Sequence, residues 1–376
     1  MFINFGEVKY ASKKAEMEAR RDHMRHVCSQ YPKRRQLNRF MKGSLFYISE
    51  KYNLSYCRVA KVGSTFWTQA FLTFSGIRSQ EAEVAHAQNS SLFDLPRDES
   101  HLIIKKHNEL TMGLSDKRVH STVSFLVSRN PYSRLFSSYI DQIYLPNKWF
   151  LASYMIPGKA KKNQLVCGND ITFDTFLNFA SDFIIKGVSI DLHWAPIFSI
   201  CKPCITNIDI LAKQESFNED AEYILDLVGV DQASRKEIEN ILKETNKESA
   251  IAGLVHTYVT KAHDRTNVKK GCISEKALAE RLWHAFQIQG HIHNDVPFPV
   301  REFSSSSEKE TEKKLTKLVL NAVKEYPLTS EERNAQREKW KRYFWKQISL
   351  STLQHVQDAF FEDFVVFGYD LDPNTI

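Results

Sequence analysis

The sequence predicts an α/β fold with a central, mostly parallel sheet flanked by helices, and two similar segments carry that prediction. Residues 57–67 read as the end of an apolar strand, a short Lys/Gly/Ser/Thr loop and the start of a helix. Residues 121–137 read as a second buried strand, a polar turn and another helix. Strands that alternate with helices in this way build parallel sheets, and ligands bind at the carboxyl ends of such strands.

The first loop carries residue types that bind phosphate-like anions. Lys61 supplies an ammonium group beside Gly63, and Ser64 and Thr65 supply hydroxyls at the start of the helix. A helix N-terminus attracts anions because its backbone N–H groups carry partial positive charge. The ordinary phosphate-loop pattern G-x-x-x-x-G-K-[ST] is absent. A plain turn capped by Ser64 or Thr65, which opens a core helix at Phe66, is the alternative.

The second turn combines the start of a helix with a cation. Asn130 suits the N-cap and Pro131 the first helical position, and Leu135, Tyr139 and Ile143 recur at the spacing of a buried helix face.

Arg129 ends the second predicted strand. If the two strands are parallel neighbours, Arg129 points to the same sheet edge as Lys61. Together with Ser137, two turns into the helix, it would hold a separate phosphate by charge-assisted hydrogen bonds. A surface charge at Arg129 and a packing position for Ser137 are the alternative.

The two turns together resemble the paired signatures of sulfotransferases that use 3′-phosphoadenosine-5′-phosphosulfate (PAPS), in particular the Golgi carbohydrate sulfotransferases of the chondroitin 4-O, dermatan 4-O and HNK-1 group. The family's C-x-x-P-K-V-x-[CS]-T-N-W corresponds to residues 57–67, and its V-R-[DE]-P-F-x-R-L-x-S-A-[YF] to residues 128–139. Two more blocks follow in the family's order, at residues 193–215 (H-W-x-P…C-x-P-C…D…K-x-E) and at 343–369 (Y-F…D-F-x-x-F-G-Y). Ala60 replaces a usual proline, Phe66 a usual asparagine and Asn130 an acidic residue.

The resemblance implies a three-layer, P-loop-like sulfotransferase fold and PAPS as the sulfate donor. Carried over residue by residue, it implies that the donor is bound by Ala60, Lys61, Val62, Gly63, Ser64, Thr65, Phe66, Arg129, Asn130, Pro131, Arg134 and Ser137. The first turn would hold the 5′-phosphate, and Arg129 with Ser137 the 3′-phosphate. Lys61 is expected to be catalytic as well, because sulfuryl transfer depends on positioning and on stabilisation of charge at the bridging oxygen.

A base must accept the proton of the acceptor hydroxyl, and His107 is the first candidate. It follows the apolar residues 102–104 and precedes Arg129 at a spacing similar to that of uronyl 2-O-sulfotransferases, in which a histidine is the base. Glu109 is the second candidate. His193 is either a base or a hydrogen-bonded core residue, and His107 in a charged surface turn is the alternative to its catalytic assignment.

An anionic, glycosaminoglycan-like glycan is the expected acceptor. The formal net charge of +6 suits an anionic nucleotide and an anionic polysaccharide. An acceptor groove would be lined by Lys105, Lys106, Arg134, Lys159, Lys161 and Lys162, and a solvated basic face is the alternative. We expect no nucleic-acid partner. We expect no metal either, because Cys201 and Cys204 have no second C-x-x-C pair to complete a zinc site.

Cysteine usage and the N-terminal segment bear on the compartment. Six cysteines form an even set, for which we expect disulfides with the pairing left open. Asn53 and Asn89 each begin a glycosylation acceptor sequence. No apolar run approaches the ~20 residues of a membrane span, so membrane attachment is expected only through an N-terminal anchor not seen in this chain. A Golgi lumen localisation rests on the resemblance alone.

The expected organisation is a basic helical lead-in over residues 1–50 and one sulfotransferase domain over 51–376, with a polar insertion at about 236–335. Within the domain we expect a helix from about Phe173 and a strand around residues 205–211. The function implied by the resemblance is PAPS-dependent O-sulfation of a glycan. A non-catalytic glycan- or nucleotide-binding relative and an ATP-dependent phosphotransferase are the alternatives, the latter disfavoured by the missing G-K-[ST] motif.

Overall fold

The computed structural model describes residues 5–30, 45–77, 111–113, 117–156, 167–188, 191–244, 248–264, 271–303 and 308–373. The chain divides into two compact units. The first contains Met1–Arg134, Ser181–Thr245 and Gln357–Thr375, and the second contains Leu135–Ala180 and Asn246–Val356.

A sheet forms the centre of the first unit. Its strands in the described part of the chain are β1 (Leu45–Ser49), β2 (Leu54–Cys57), β3 (Thr111–Gly113), β4 (Val123–Ser128) and β5 (Ile210–Lys213), in the spatial order β3-β1-β2-β4-β5. Strands β2, β4 and β5 are parallel neighbours, whereas β1 is antiparallel to β2 and to β3. Four of these five strands therefore point the same way, which confirms the predicted mostly parallel sheet.

The helices are, in chain order, α1 (Phe5–Gln30), α2 (Ser64–Phe74), α3 (Lys117–Ser121), α4 (Pro131–Tyr139), α5 (Ala152–Met155), α6 (Phe173–Lys186), α7 (Ile197–Cys201), α8 (Pro203–Thr206), α9 (Phe217–Leu227), α10 (Gln232–Glu244), α11 (Glu248–Asp264), α12 (Glu275–Ile288), α13 (Glu308–Glu325), α14 (Ser330–Trp345), α15 (Leu350–Ala359) and α16 (Phe361–Phe367). A π-helical segment, Ile140–Tyr144, continues α4. Helix α6 begins at Phe173, as predicted.

Aromatic side chains hold α2 on the sheet. The ring centroids of Trp67 and Phe125 lie 4.5 Å apart, and those of Tyr56 and Phe125 lie 4.8 Å apart. Trp67 is 1% exposed. Because full burial of such a ring contributes about 2–3 kcal/mol, this cluster is a large part of the packing between helix and sheet.

The predicted N-terminal lead-in is an integral part of the first unit. Residues 5–30 are helical as expected, but Lys13 Nζ and Arg20 Nη1 contact the carboxylate of Asp220 at 2.8 and 2.6 Å. A disulfide joins Cys28 to Cys204, and β1 lies within the sheet. These long-range contacts, which no local sequence pattern indicates, join residues before position 50 to the rest of the first unit. The domain boundary at residue 50 stays a prediction.

The strand expected around residues 205–211 begins later, at Ile210. Pro203 starts the short helix α8, since its fixed φ suits a first helical position. Asn207, at φ +51°, ends that helix in the left-handed region before the strand begins.

All six cysteines form disulfides, which confirms the expected chemistry. The pairs are Cys28–Cys204, Cys57–Cys201 and Cys167–Cys272. Cys201 and Cys204 bond to different partners, so the C-x-x-C pair is structural.

The second unit is helical in its described residues. Its core is built by apolar side chains of α11, α12 and α13, among them Val255, Val259, Leu282, Leu315 and Val319. The stretch expected to be a polar insertion, residues 236–335, contains α11, α12 and α13 and supplies most of this core. The polar composition reflects the outward faces of amphipathic helices.

No helix within the described ranges has both the length and the apolar character needed to span a bilayer.

Replacing Asp220 by Asn should lower the free energy of unfolding by about 3 kcal/mol, because it removes the buried carboxylate that faces Lys13 and Arg20. The matched control is Asp226→Asn on the same helix. That carboxylate is 45% exposed and pairs with Arg235, so its loss should cost less than about 1 kcal/mol. Urea denaturation followed by circular dichroism measures both. Equal effects of the two substitutions would contradict the assignment.

Candidate functional site

The first turn links β2 to α2 through two residues in the left-handed region. Lys61 has a φ of +70° and Gly63 a φ of +83°. Glycine adopts this conformation without strain, whereas at lysine it costs about 1–3 kcal/mol and is typical of functional sites. The strain at Lys61 therefore marks the residue that the sequence predicts to be catalytic.

The N-cap residue of helix α2 makes no side-chain hydrogen bond to the helix. Gly63 is the N-cap and carries no capping side chain, so the alternative in which Ser64 or Thr65 caps the turn is wrong. A Cβ atom at position 63 would lie 2.4 Å from Cε2 of Phe217. Glycine is thus required both by its φ and by this close approach, and the first N–H groups of an 11-residue helix keep their attraction for anions.

Phe66 packs beneath the turn. Its ring lies edge-on to that of Phe217, with centroids 5.2 Å apart, and its side chain is 9% exposed. Phe217 in turn covers Gly63. The side chain that replaces the family's usual asparagine therefore belongs to the support of the turn. The side chains of Ala60 and Val62 are also buried.

Arg129 brings the second turn to the first. Its Nη1 donates to the carbonyl oxygen of Lys61 at 2.9 Å, and β2 and β4 are parallel neighbours, which confirms the predicted shared edge. The side-chain oxygen of Asn130 accepts from the N–H groups of Tyr132 and Ser133 at 3.0 and 3.3 Å. Helix α4 starts at Pro131, so the capping prediction is confirmed as well.

Arg134 lies under the first turn, at 2% exposure. Its Nε donates to Ala60 O at 3.1 Å, while Nη1 and Nη2 donate to Ala195 O at 2.7 Å and Leu192 O at 3.2 Å. Burial lowers the pKa of Arg134 to about 10, so it stays charged at neutral pH. This position differs from the expectation that Arg134 contacts the donor or an acidic glycan, because its donors face backbone carbonyls.

Asp363, from the last sequence block, supports the His-Trp-Ala-Pro segment. It accepts from the backbone N–H groups of Ile197 at 2.8 Å and Phe198 at 2.7 Å, and so caps α7. The side chain is 1% exposed, and this burial raises the pKa of Asp363 to about 6, against the opposing effect of Arg134.

Glu215 connects the second turn to the last block. Its two carboxylate oxygens accept from the N–H of Asn130 at 2.8 Å and from the hydroxyl of Tyr369 at 3.0 Å. That hydroxyl also lies 3.0 Å from Ser128 Oγ. Sequence reasoning placed Glu215, Asp363 and Tyr369 in family blocks but gave them no function. Only the spatial contacts show that Glu215 and Tyr369 hold the second turn and that Asp363 holds the start of α7.

Arg58 is a cation that the sequence analysis missed. It follows β2 directly, and its Nε is buried with no hydrogen-bond partner among the described residues. A buried guanidinium N–H of this kind can donate to an anion or to a water molecule. The sole sequence signal is its place between Cys57 and the turn.

His193 is oriented by a carboxylate. Its Nδ1 donates to Asp191 Oδ1 at 2.5 Å, and its side chain is 33% exposed. It is therefore no core residue, and a carboxylate-oriented imidazole is a common arrangement for a general base. Arg134 binds the carbonyls on both sides of it, at Leu192 and Ala195.

Several residues predicted to belong to the site are not shown to contact it. Ser137 lies in the last turns of α4, in the second unit, so its pairing with Arg129 stays a prediction. His107 and Glu109 lie outside the described residues, as do the basic residues Lys105, Lys106, Lys159, Lys161 and Lys162.

Comparison with known proteins finds a matching family for the chain. Residues 44–270 match the model of the Sulfotransferase family, which is more than half of the chain. The chain is similar to human carbohydrate sulfotransferase 9 (26% identity; 59% of this chain, 49% of the relative). It is also similar to carbohydrate sulfotransferase 11 from mouse (28%; 49% and 52%) and from zebrafish (26%; 56% and 61%). The chain thus spans about half the length of the curated relatives it matches. No solved structure matches it.

The buried carboxyl of Asp363 should make stability depend on pH. Its pKa rises from an ordinary 3.8 to about 6 on folding, so the folded state binds the proton more tightly. The contribution of protonated Asp363 to the free energy of unfolding is fully present below pH 3.8 and is lost as the pH rises through 6. The loss amounts to about 3 kcal/mol. Asp363→Asn removes this titration. The difference in unfolding free energy between wild type and variant should therefore fall between pH 4 and pH 7, and a flat difference would contradict the assignment.

Proposed function

Because the chain belongs to the sulfotransferase family, we propose that it transfers the sulfuryl group of PAPS to a hydroxyl of a glycan. The observation that carries the proposal is the hydrogen bond from Arg129 Nη1 to Lys61 O, at 2.9 Å. It joins two anion-binding turns at the carboxyl edge of neighbouring parallel strands, where ligands of α/β sheets bind.

The residues at this edge fit a ligand with two phosphate groups. Lys61, Arg58 and Arg129 supply cations, and the N-cap of α2 is a glycine, which places no side chain over the helix N-terminus. We assign the 5′-phosphate to Lys61, to the backbone N–H groups of residues 62–65 and to the Thr65 hydroxyl. The 3′-phosphate, which distinguishes PAPS from ATP, is assigned to Arg129 and Ser137.

Lys61 would hold the donor, and its ammonium group would stabilise the negative charge that the leaving phosphate gains. PAPS would supply the sulfuryl group. The protein's contribution is positional and electrostatic, since Arg134 holds the first turn in place before the reaction and Glu215 holds the second.

The acceptor hydroxyl must lose a proton to a base, and His107 remains our first assignment. His193 is the alternative that the geometry supports, because Asp191 fixes its ring orientation.

The acceptor class and the compartment follow from the relatives and the disulfides. The similar proteins are named carbohydrate sulfotransferases, which supports a glycan acceptor, and we propose an anionic one of the glycosaminoglycan type. Three disulfides suit an oxidising compartment, which supports the Golgi lumen.

Purified protein should bind adenosine 3′,5′-bisphosphate at least tenfold more tightly than ADP, because only the former places a phosphate at Arg129. Lys61→Ala and Arg129→Ala should each lower transfer of labelled sulfate from PAPS by more than about 100-fold. Lys186→Ala, at a side chain that is 63% exposed, is the control and should leave both properties unchanged. Calorimetry measures nucleotide binding. Transfer is measured as labelled sulfate incorporated into chondroitin, dermatan, heparan and glucuronyl-terminated glycans. If the protein bound ADP as tightly as adenosine 3′,5′-bisphosphate and turned over ATP in the presence of magnesium, phosphoryl transfer would replace this proposal.

His107→Ala should keep nucleotide binding and lower the transfer rate about 10²–10⁴-fold, as loss of a general base does. His193→Ala is the parallel variant. A fully active His107→Ala beside an inactive His193→Ala that still binds nucleotide would move the base to His193.

A further inference from the structure

The second unit contains a cavity of about 410 Å³. This volume falls within the range of about 300–1,000 Å³ that is typical of small-ligand pockets. Aromatic rings and hydrogen-bonding side chains share its walls, and neither turn of the first unit contributes to it.

We propose that this cavity binds one neutral sugar residue of a glycan. The proposal goes beyond sulfuryl transfer, since it requires neither the donor nor the two turns.

A fixed guanidinium provides hydrogen-bond donors in the cavity. Arg281 Nε donates to Tyr144 O at 2.5 Å and Nη1 to Asn169 O at 3.4 Å, and the guanidinium carbon lies 4.2 Å from the centre of the Tyr144 ring. Within the described ranges these contacts use two of its five N–H groups. The remaining three N–H groups lie in the plane of the guanidinium and can donate to hydroxyl oxygens.

Two carboxylates provide acceptors. Asp170 is exposed at the wall, and Asp174 is held by the N–H of Ser349 at 3.3 Å and by the Asn178 amide at 3.0 Å. Sugar hydroxyls both donate and accept, so one ring can satisfy the guanidinium and the carboxylates together. A uronate or a sulfated sugar would meet two carboxylates against a single guanidinium. The local charge therefore favours a neutral ring.

Aromatic rings supply the apolar contact that a sugar ring needs for its C–H face. Tyr144 and Phe344 line the cavity with their centroids 6.4 Å apart and their planes at 88°. A pocket with aromatic walls and a few placed polar groups orients its ligand by the polar groups and gains affinity from the rings.

The walls are held in place before any ligand arrives. The disulfide Cys167–Cys272 joins the segment Gly168–Asp170 to the chain just ahead of α12, which carries Arg281. A Cβ on Gly168 would lie 2.1 Å from Trp149, so this segment packs directly on the indole. Tyr144 ends the π-helical segment, a geometry that is frequent at functional sites. Such preorganisation lowers the cost of binding.

The test uses the full chain and two probes that differ at one group, methyl glucoside and methyl glucuronide, with methyl galactoside and N-acetylgalactosamine beside them. Saturation-transfer NMR and calorimetry should show binding of at least one neutral sugar and a preference for glucoside over glucuronide. Asp170→Asn and Gln347→Ala change exposed side chains at the cavity, so both variants should fold. Each variant should lower the affinity for the neutral sugar about tenfold. Asp170→Asn should also reduce the ratio of the affinity for methyl glucoside to that for methyl glucuronide.

Asp295→Asn, in the same unit at 90% exposure and away from the cavity, is the matched control and should bind as wild type does. Absence of binding by every neutral sugar at the highest soluble concentrations would overturn the proposal, as would binding that both cavity variants leave unchanged. Titration with adenosine 3′,5′-bisphosphate separates the two proposals. If the protein binds sugar but no bisphosphate, the transferase proposal fails and the sugar-binding cavity stands. If it binds bisphosphate but no sugar, only the proposal of a sugar-binding cavity fails.

Discussion

The buried guanidinium of Arg134 is the interaction on which the rest of the site depends. It donates to Ala60 O next to Lys61 and to the carbonyls on either side of His193, so one side chain sets the distance between these two segments. Burying a charge is costly unless hydrogen bonds and an opposite charge compensate, and here three carbonyls and the nearby Asp363 do so. A lysine has no planar fork and could not replace it.

Two carboxylates support the segments next to the first turn. Asp363 caps the helix that follows the His-Trp-Ala-Pro segment, and Glu215 holds the second turn to Tyr369. This framework explains how Lys61 can remain in a strained backbone conformation, since a strained residue persists only where its surroundings determine it. A rigid turn of this kind meets developing negative charge without reorganising, which is the main physical requirement of group transfer.

The two units present different chemistry to ligands. In the first unit, cations and a helix N-terminus without a side-chain cap suit phosphates. In the second, two carboxylates, one guanidinium and aromatic rings suit hydroxyl groups on a neutral ring. Each unit contains at least one disulfide close to its candidate site, Cys57–Cys201 in the first and Cys167–Cys272 in the second, so that oxidation of the cysteines stabilises both arrangements.

The sequence by itself determined the features that depend on neighbours along the chain. The strand–turn–helix units, the Asn130 cap, the Pro131 helix start and the buried positions Leu135 and Tyr139 follow from local propensity and periodicity. The tertiary structure alone decided the pairing of the cysteines, the inclusion of α1 in the first unit and the burial of Arg134, which was expected to contact the donor or a glycan. The physical reason is that each of these depends on contacts between residues 58 or more positions apart, which no local pattern records.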